Sequence, residues 1–446
     1  MSTKNQTAQA DLGWVERQFK LRENGTNVRT EVMAGITTFM TMAYILFVNP
    51  SILSETGMPF NAVLFATAFS AILATLLMAF LANYPFALAP GMGLNAYFTY
   101  SVVFGMGYTW QTALGAVFIS GILFVLLSLS GVREKIIDAV PATLKSAIGA
   151  GIGLFIALIG LQNAGIVVSD PATIIAIGNL TEPSAALAAI GVLITGILLA
   201  RRVNGAILWG ILATTVLGIP MRVTPLPDGF IQLPSFSTWA PVFGKLDIAG
   251  AFNIGLVEVV FAFLFVDLFD TIGTLIGVSE RAGFLNKEGK LPRAEKALMA
   301  DSIGTVAGAV FGTSTVTTFV ESASGVAVGG RTGLANLVTS ACFLLSLFFL
   351  PIIGIVPAAA TAPALIIVGA LMMKPVINIP WDNMEEALPA FIAMIAMPFT
   401  YSIATGIALG FITYPVVKLA TGKAKEVHPI TYILAVLFVL RFIYLG

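Results

Sequence analysis

Five carboxylates stand in stretches of sequence that are otherwise apolar: Glu258, Asp267, Asp270, Asp301 and Glu321. Each costs about 2.5 kcal/mol or more at the centre of a bilayer, so residues of this kind persist where they serve a function. Asp267 and Asp270 lie three residues apart in FLFVDLFDTIGTL and share one helix face. Two carboxylates that close in a low dielectric do not both ionise cheaply, so one of them is expected to hold a proton. No lysine or arginine falls in the same stretches to neutralise the group. Glu321 sits in a Gly/Ser-rich break, TTFVESASGVAVGGRTGL (317–334), where exposed backbone N–H groups and a positive helix end favour an anion. Asn95 occupies a comparable break in NYPFALAPGMGLNAYFTY (83–100) and brings two donors and an acceptor. The chemistry within reach is hydrogen bonding to a polar ligand together with proton carriage. Asn95, Asp267, Glu321 and Ser322 form the expected ligand-binding set, and Asp270, Glu321 and Asp301 the expected proton-coupling set. Asp301 either steadies the break or relays a proton, and Glu258, near the outer end of its stretch, is expected to be solvated. Phe265, Phe269, Phe319 and Tyr97 flank these positions and could stack on a flat ligand.

The elements that must position these residues are membrane spans. Hydrophobic residues make up 57% of the 446-residue chain and charged residues only 10%, against about 25% charged in an ordinary soluble domain. The mean hydropathy is +0.94. This composition excludes a soluble enzyme and a disordered chain. Lys+Arg and Asp+Glu are both 23, so no basic excess points to nucleic acid. A single cysteine, Cys342, and a single histidine, His428, leave no internal disulfide, no cysteine-rich or histidine-based metal site and no Ser-His-Asp catalysis built on a buried histidine. Neither a catalytic site nor a cofactor is expected.

Residues 1–31 are polar and lack an apolar run ending in a small-residue cleavage site, so no signal peptide is expected there. Spans of about 20 apolar residues, fewer where a helix is broken, are predicted near 32–53, 60–82, 86–104, 110–130, 144–163, 184–200 and 204–219. A Pro-rich connection, 220–250, separates them from a second set near 252–278, 297–312, 314–330, 332–353, 362–375, 387–401 and 403–419. A further stretch, 430–445, within the tail 421–446, is either a fifteenth crossing or an interfacial helix. With the N-terminus inside and fourteen crossings, 20 of the 23 Lys and Arg residues fall on the cytoplasmic side. The two sets read as copies. Val140-Pro141-Ala142 and Val356-Pro357-Ala358 are 216 residues apart, and the third and tenth spans both carry a break beside a polar residue. Seven spans per copy is odd, so the copies, 32–219 and 252–420, must be inverted. Inverted repeats with broken helices in matching places mark secondary transporters, with the ligand near the midplane.

The long blocks that carry these features make the chain recognisable. RTEVMAGITTFMTMAYILFVNP (29–50), LAPGMGLNAYF (88–98), GAGIGLFIALIGLQNAG (149–165), FLFVDLFDTIGTL (263–275), ADSIGTVAGAVFGTSTVTTFVESASGVAVGGRTG (300–333), TAPALIIVGALM (361–372) and GKAKEVHPI (422–430) resemble the AzgA-like purine permeases of the nucleobase–cation symporter superfamily. Within that family the chain is most similar to bacterial hypoxanthine/guanine permeases. The resemblance implies an all-α membrane protein of fourteen segments in two inverted repeats of seven. Its core domain would be 32–130 and 252–353 and its gate domain 144–219 and 362–420, with short extended stretches in spans three and ten facing each other. It implies that Asn95, Asp267, Asp270 and Glu321 match the family's polar site positions, and that transport is proton symport by an elevator-like movement in the cytoplasmic membrane. It also implies a homodimer through the gate domains.

Guanine offers N1–H and a 2-amino group side by side, which a carboxylate can accept as a pair, and hypoxanthine offers N1–H beside a carbonyl. Adenine presents a ring acceptor beside an amino donor, a poorer match to an ionised carboxylate. An aspartate at 267 therefore favours an oxopurine. Adenine or another nucleobase is the alternative cargo on the same scaffold. Of other classes, a passive channel would give flux without saturation. An intramembrane aspartyl protease would carry its acids on separate helices, usually in Gly-x-Gly-Asp, a pattern that precedes neither Asp267 nor Asp270.

Overall fold

The computed structural model describes residues 13–130, 140–227, 229–252, 254–286 and 291–444. A short helix, α1 (Trp14–Phe19), precedes the first span, which is built from α2 (Val28–Met42) and α3 (Ile45–Ser54). The Asn27 side chain caps α2 by accepting from the Thr30 N–H. The span breaks at Ala43 and Tyr44, and Pro50 inside α3 removes a further backbone donor. Helix α4 (Phe60–Leu77) widens into a π turn to Ala82, and the chain then runs extended through β1 (Leu88–Pro90) into α5 (Met92–Ala96) and a π segment to Gly105. Helices α6 (Trp110–Ser130) and α7 (Ala142–Asn163) follow. A hairpin that the sequence did not announce, β2 (Val167–Asp170) and β3 (Ile174–Ile177), leads to α8 (Pro183–Ala200) and α9 (Ala206–Gly218).

The Pro-rich connection carries a single turn, α10 (Phe236–Trp239), and is tied down: Trp239 Nε1 donates to the Phe311 carbonyl at 2.8 Å and its ring stacks on Phe69 at 4.7 Å. The second repeat runs α11 (Ile254–Ala282), α12 (Ala294–Phe311), β4 (Val316–Thr318), α13 (Ser322–Val328), α14 (Gly333–Ser346), α15 (Leu350–Ile353), α16 (Ala358–Met372), α17 (Met384–Thr400) and α18 (Ile403–Ala420). Every one of the fourteen predicted segments has a counterpart. Among the described residues nine are long and apolar enough to cross a membrane by length and composition. The others depart for legible reasons. The third and tenth are broken by strands, and the seventh spans only 13 residues. The helix of the ninth, α12, begins ahead of the predicted segment with Glu295 and Lys296 and also holds Asp301, and that of the thirteenth, α17, has only 17 residues and opens with Glu385 and Glu386.

Pro141 and Pro357 stand at the same place in the two repeats, each at the N-cap of a long helix, α7 and α16. The repeats meet where β1 pairs antiparallel with β4, Leu88 opposite Thr318 and Pro90 opposite Val316. Helices of the first four and eighth to eleventh spans pack on one another around this pairing, as in α12 on α6 and α4, and α14 on α2 and α4. Helices α7, α16, α17 and α18 form a second group, joined by α8 and α9. Lys418, 4% exposed in the last turn of α18, pairs with Glu386 and Glu426 at 3.0 Å each and holds the end of this group to the tail. The final stretch is a helix, α19 (Pro429–Tyr444), lying against α18, with Phe438 packed on Phe411 and on Phe261 of α11.

A broken span leaves carbonyls without helical partners, and in hydrocarbon these need others. Asn336 of α14, 1% exposed, supplies them: its amide donates to the carbonyls of Tyr84 at 2.9 Å and Phe86 at 2.8 Å and reaches that of Thr75 at 3.5 Å. Glu31 does the converse for α14, accepting from the backbone N–H groups of Arg331, Thr332 and Ala335. Asn336→Ala is expected to cost about 2 kcal/mol or more by leaving buried carbonyls unpaired. A lowered thermal midpoint of the purified protein in detergent, with normal insertion, checks this.

Candidate functional site

The paired strands form the floor of the site, and hydroxyl groups fix them. Gly91 N–H donates to the Thr315 carbonyl at 3.0 Å and Phe319 N–H to the Ala87 carbonyl at 2.9 Å, extending the pairing at both ends. Thr75 Oγ1 accepts from Leu88 N–H at 2.9 Å, and Thr305 Oγ1 accepts from Val316 N–H at 3.1 Å. A Cβ on Gly91 would come within 2.8 Å of Thr317 Oγ1, so only glycine lets the two backbones approach this closely.

The carboxylates divide into a sealed pair and an accessible pair. Asp267 and Asp301 are both 0% exposed. Thr305 of α12 donates to Asp267 Oδ2 at 3.1 Å, and Thr271 of α11 donates to Asp301 Oδ1 at 2.9 Å. Each helix thus offers a carboxylate and, four residues on, a threonine to its antiparallel neighbour. Asp270 and Glu321, by contrast, keep part of their accessibility. Asp270 reaches the Thr317 hydroxyl of β4 and lies within electrostatic range of Glu321. Tyr44, at the break of the first span and 2% exposed, donates its phenol to Glu321 Oε1 at 2.5 Å. The Glu321 side chain therefore turns to Tyr44 and does not cap α13, although it stands at the helix start as the break suggested.

Three further expectations shift in detail. Asn95 and Glu321 are not equivalent by strand register: Glu321 lies three residues past Thr318, and three past Pro90 is Gly93. Asn95 sits a half turn further on, 0% exposed, its Oδ1 accepting from the Ser314 hydroxyl and its Nδ2 without a hydrogen-bond partner. Ser322 is also 0% exposed and its Oγ accepts from Ala87 N–H at 3.0 Å, so it holds the strands more directly than it faces a ligand. Of the aromatic candidates, Phe319 lies beside the Tyr44–Glu321 pair at 6.4 Å between rings, Tyr97 packs edge-on to Phe263, and Phe265 is enclosed by Phe261 and Phe411. The side chains of Glu258 and Phe269 lie outside the described residues. Tyr44, Thr271, Thr305, Ser314 and Thr317 were missed from sequence. The run Thr313-Ser314-Thr315-Val316-Thr317-Thr318, five hydroxyls in an apolar context, was the signal available.

Two cavities lie elsewhere. One of about 600 Å³ lies between residues 225–232 and 350–355. Another of about 450 Å³ is lined by Ser51, Glu55, Phe60, Asn163 and Thr361. Beside it Tyr100 donates to Glu55 at 2.8 Å and Asn163 to the same carboxylate at 3.1 Å.

The Permease family model, Xan_ur_permease, matches residues 29–409. The guanine/hypoxanthine permease PbuG of Bacillus subtilis is 52% identical, over 96% of this chain and 99% of its own length. The adenine permease AdeP of Escherichia coli is 46% identical, over 100% of this chain and 99% of its own. In three dimensions the chain is similar to the transmembrane domain of the cyanobacterial bicarbonate transporter BicA, with a TM-score of 0.64 and 16% identity, covering 86% of this chain and 97% of that one. That likeness identifies the seven-plus-seven inverted-repeat fold.

The division of the carboxylates predicts a pattern of reactivity. With Cys342, the single native thiol, replaced by alanine, cysteine at 270 or 321 is expected to react with a small methanethiosulfonate, and cysteine at 267 or 301 is expected to stay unmodified until the protein is denatured. Equal labelling at all four positions would contradict the described burial.

Proposed function

The chain belongs to the Permease family, and on that premise we propose that this nucleobase permease takes up hypoxanthine and guanine across the cytoplasmic membrane by proton symport. One observation carries the choice of cargo: accessible carboxylate acceptors, Asp270 and Glu321, share the strand crossing with an amide, Asn95, whose donor end has no partner. An oxopurine presents N–H donors and a carbonyl acceptor, the complement of that set. Similarity alone does not choose, because a guanine/hypoxanthine permease and an adenine permease are 52% and 46% identical to the chain. Adenine is for that reason the second reading.

In the proposed cycle a proton joins the Asp267–Asp270–Glu321 group and lowers its charge. The purine N1–H, and in guanine the 2-amino group, donates to Glu321 and Asp270. Asn95 donates to an acceptor on the ring. Burial argues for exchanging two roles expected from sequence, with Asp270 on the base and Asp267 behind it, braced by Thr305. A neutral, closed complex moves through the low-dielectric region more cheaply than a charged one. The movement proposed is that of the core, 32–130 and 252–353, against the gate, 144–219 and 362–420. The distribution of 20 of 23 Lys and Arg residues supports a cytoplasmic N-terminus.

Tritiated hypoxanthine uptake into bacteria without their own purine permeases tests the reading. Saturable uptake, blocked by unlabelled guanine and collapsed by a protonophore, is expected. Glu321→Gln and Asp270→Asn should each lower it by about tenfold to 100-fold, as for a lost charged hydrogen bond, at unchanged membrane abundance. Uptake that is full in both variants, or insensitive to the proton gradient, would sink the site or the coupling respectively.

A further inference from the structure

Glu321 and Asn95 are each met by a hydroxyl, Tyr44 and Ser314 respectively, and a hydroxyl that donates leaves its acceptor a defined part to play. A serine or tyrosine hydroxyl has one proton to give. Tyr44 donates a hydrogen bond to Glu321 Oε1, which leaves the second oxygen as the acceptor for a ligand. Ser314 gives its proton to Asn95 Oδ1, which turns the Asn95 amide so that Nδ2 points away from Ser314, buried and without a partner. Neither hydroxyl belongs to the carboxylate and amide set that meets the base.

We infer that Tyr44 and Ser314 are specificity-determining positioning residues that set the site to one acceptor and one donor, and so to oxopurines over aminopurines. The inference rests on the reading of the site as a purine site. An asparagine turned the other way would offer Oδ1 to an amino group and Nδ2 to a ring nitrogen, the pairing by which asparagine recognises adenine. A glutamate without its phenol donor is no longer held with one oxygen engaged and the other presented, so its acceptor is not fixed toward an N–H of the ring. Both changes relax the same discrimination. A site whose buried polar groups are left unpaired by the wrong ligand rejects it strongly, so loss of either lock should cost roughly tenfold in selectivity.

The test is competition by guanine and by adenine against labelled hypoxanthine uptake, in the full-length chain and in Ser314→Ala, Ser314→Thr and Tyr44→Phe, each normalised to protein in the membrane. The guanine-to-adenine preference is expected to fall about tenfold in Ser314→Ala and Tyr44→Phe and to return in Ser314→Thr, which keeps the hydroxyl. The KM for hypoxanthine should rise in both weakened variants with the maximal rate per inserted protein changing much less. Thermal shifts of the purified proteins with guanine or adenine give the same ratio where a variant transports poorly. An unchanged preference in Ser314→Ala and Tyr44→Phe, on an oxopurine-selective parent, overturns the inference and leaves the purine reading standing. An equal loss for all bases that Thr does not rescue assigns both residues a merely structural part and overturns it too. A parent chain that prefers adenine overturns the cargo reading and the inference together.

Discussion

The structure depends on one constraint: two stretches of chain run extended at the depth of apolar spans, and hydrocarbon offers their backbone nothing to bond. Each solves the problem of the other. Leu88–Pro90 and Val316–Thr318 pair across the two repeats, so neither repeat is complete alone. The carbonyls that the pairing does not reach go to Asn336, and Val316 N–H goes to Thr305. Ser322 and Thr75 take further N–H groups. Hydroxyl and amide side chains clustered here are the consequence of the break as much as of any ligand.

The same side chains also hold the carboxylates. No lysine or arginine lies within 252–278, 297–312 or 314–330, which carry Asp267, Asp270, Asp301 and Glu321, and hydrogen bonds donated by Thr305, Thr271 and Tyr44 help to hold Asp267, Asp301 and Glu321. A full countercharge would hold the carboxylates ionised and oppose the uptake of a proton. A hydroxyl is a weaker and more adjustable partner. The reciprocal Asp–Thr exchange between α11 and α12 also fixes the rotation of α11, and with it the direction in which Asp270, three residues past Asp267, faces.

Much of this was legible in the sequence. Apolar length located the spans, and the Val-Pro-Ala repeat exposed the duplication that Pro141 and Pro357 embody as matching N-caps. The clustering of carboxylates in spans eight to ten pointed at the candidate site. What stayed hidden were contacts between residues far apart in the chain. Tyr44 meets Glu321 across 277 positions and Ser314 meets Asn95 across 219, and each looked like an ordinary member of its own span. Periodicity also could not tell which of Asp267 and Asp270 would be sealed, since three residues along a helix share a face yet differ by a fraction of a turn. The hairpin at 167–177 escaped although Asp170-Pro171 marks its turn, because its strands are only four residues each and lie between two long apolar helices.

The proposed movement makes sense of how hydrogen bonds are distributed. The longest-range polar contacts around the crossing, those of Glu31, Tyr44, Thr305 and Asn336, all run within spans one to four and eight to eleven. Those of Lys418, Tyr414 and Thr143 to Glu386 run within the other group. Ties between the groups are fewer: Asn163 to Glu55 and Tyr100, and Ser101 to the Tyr401 carbonyl at 3.1 Å. Elsewhere the boundary combines small residues in close approach, such as Gly93 against Ile152 and Gly205 against the Met40 carbonyl, with ring contacts such as Phe265 on Phe411 and Tyr100 on Tyr401. A surface of that kind slides without stranding buried donors. The Glu55 cluster is then the polar contact that must open for the core to travel, and because the strand crossing bonds almost entirely to its own group, the site would travel with it intact.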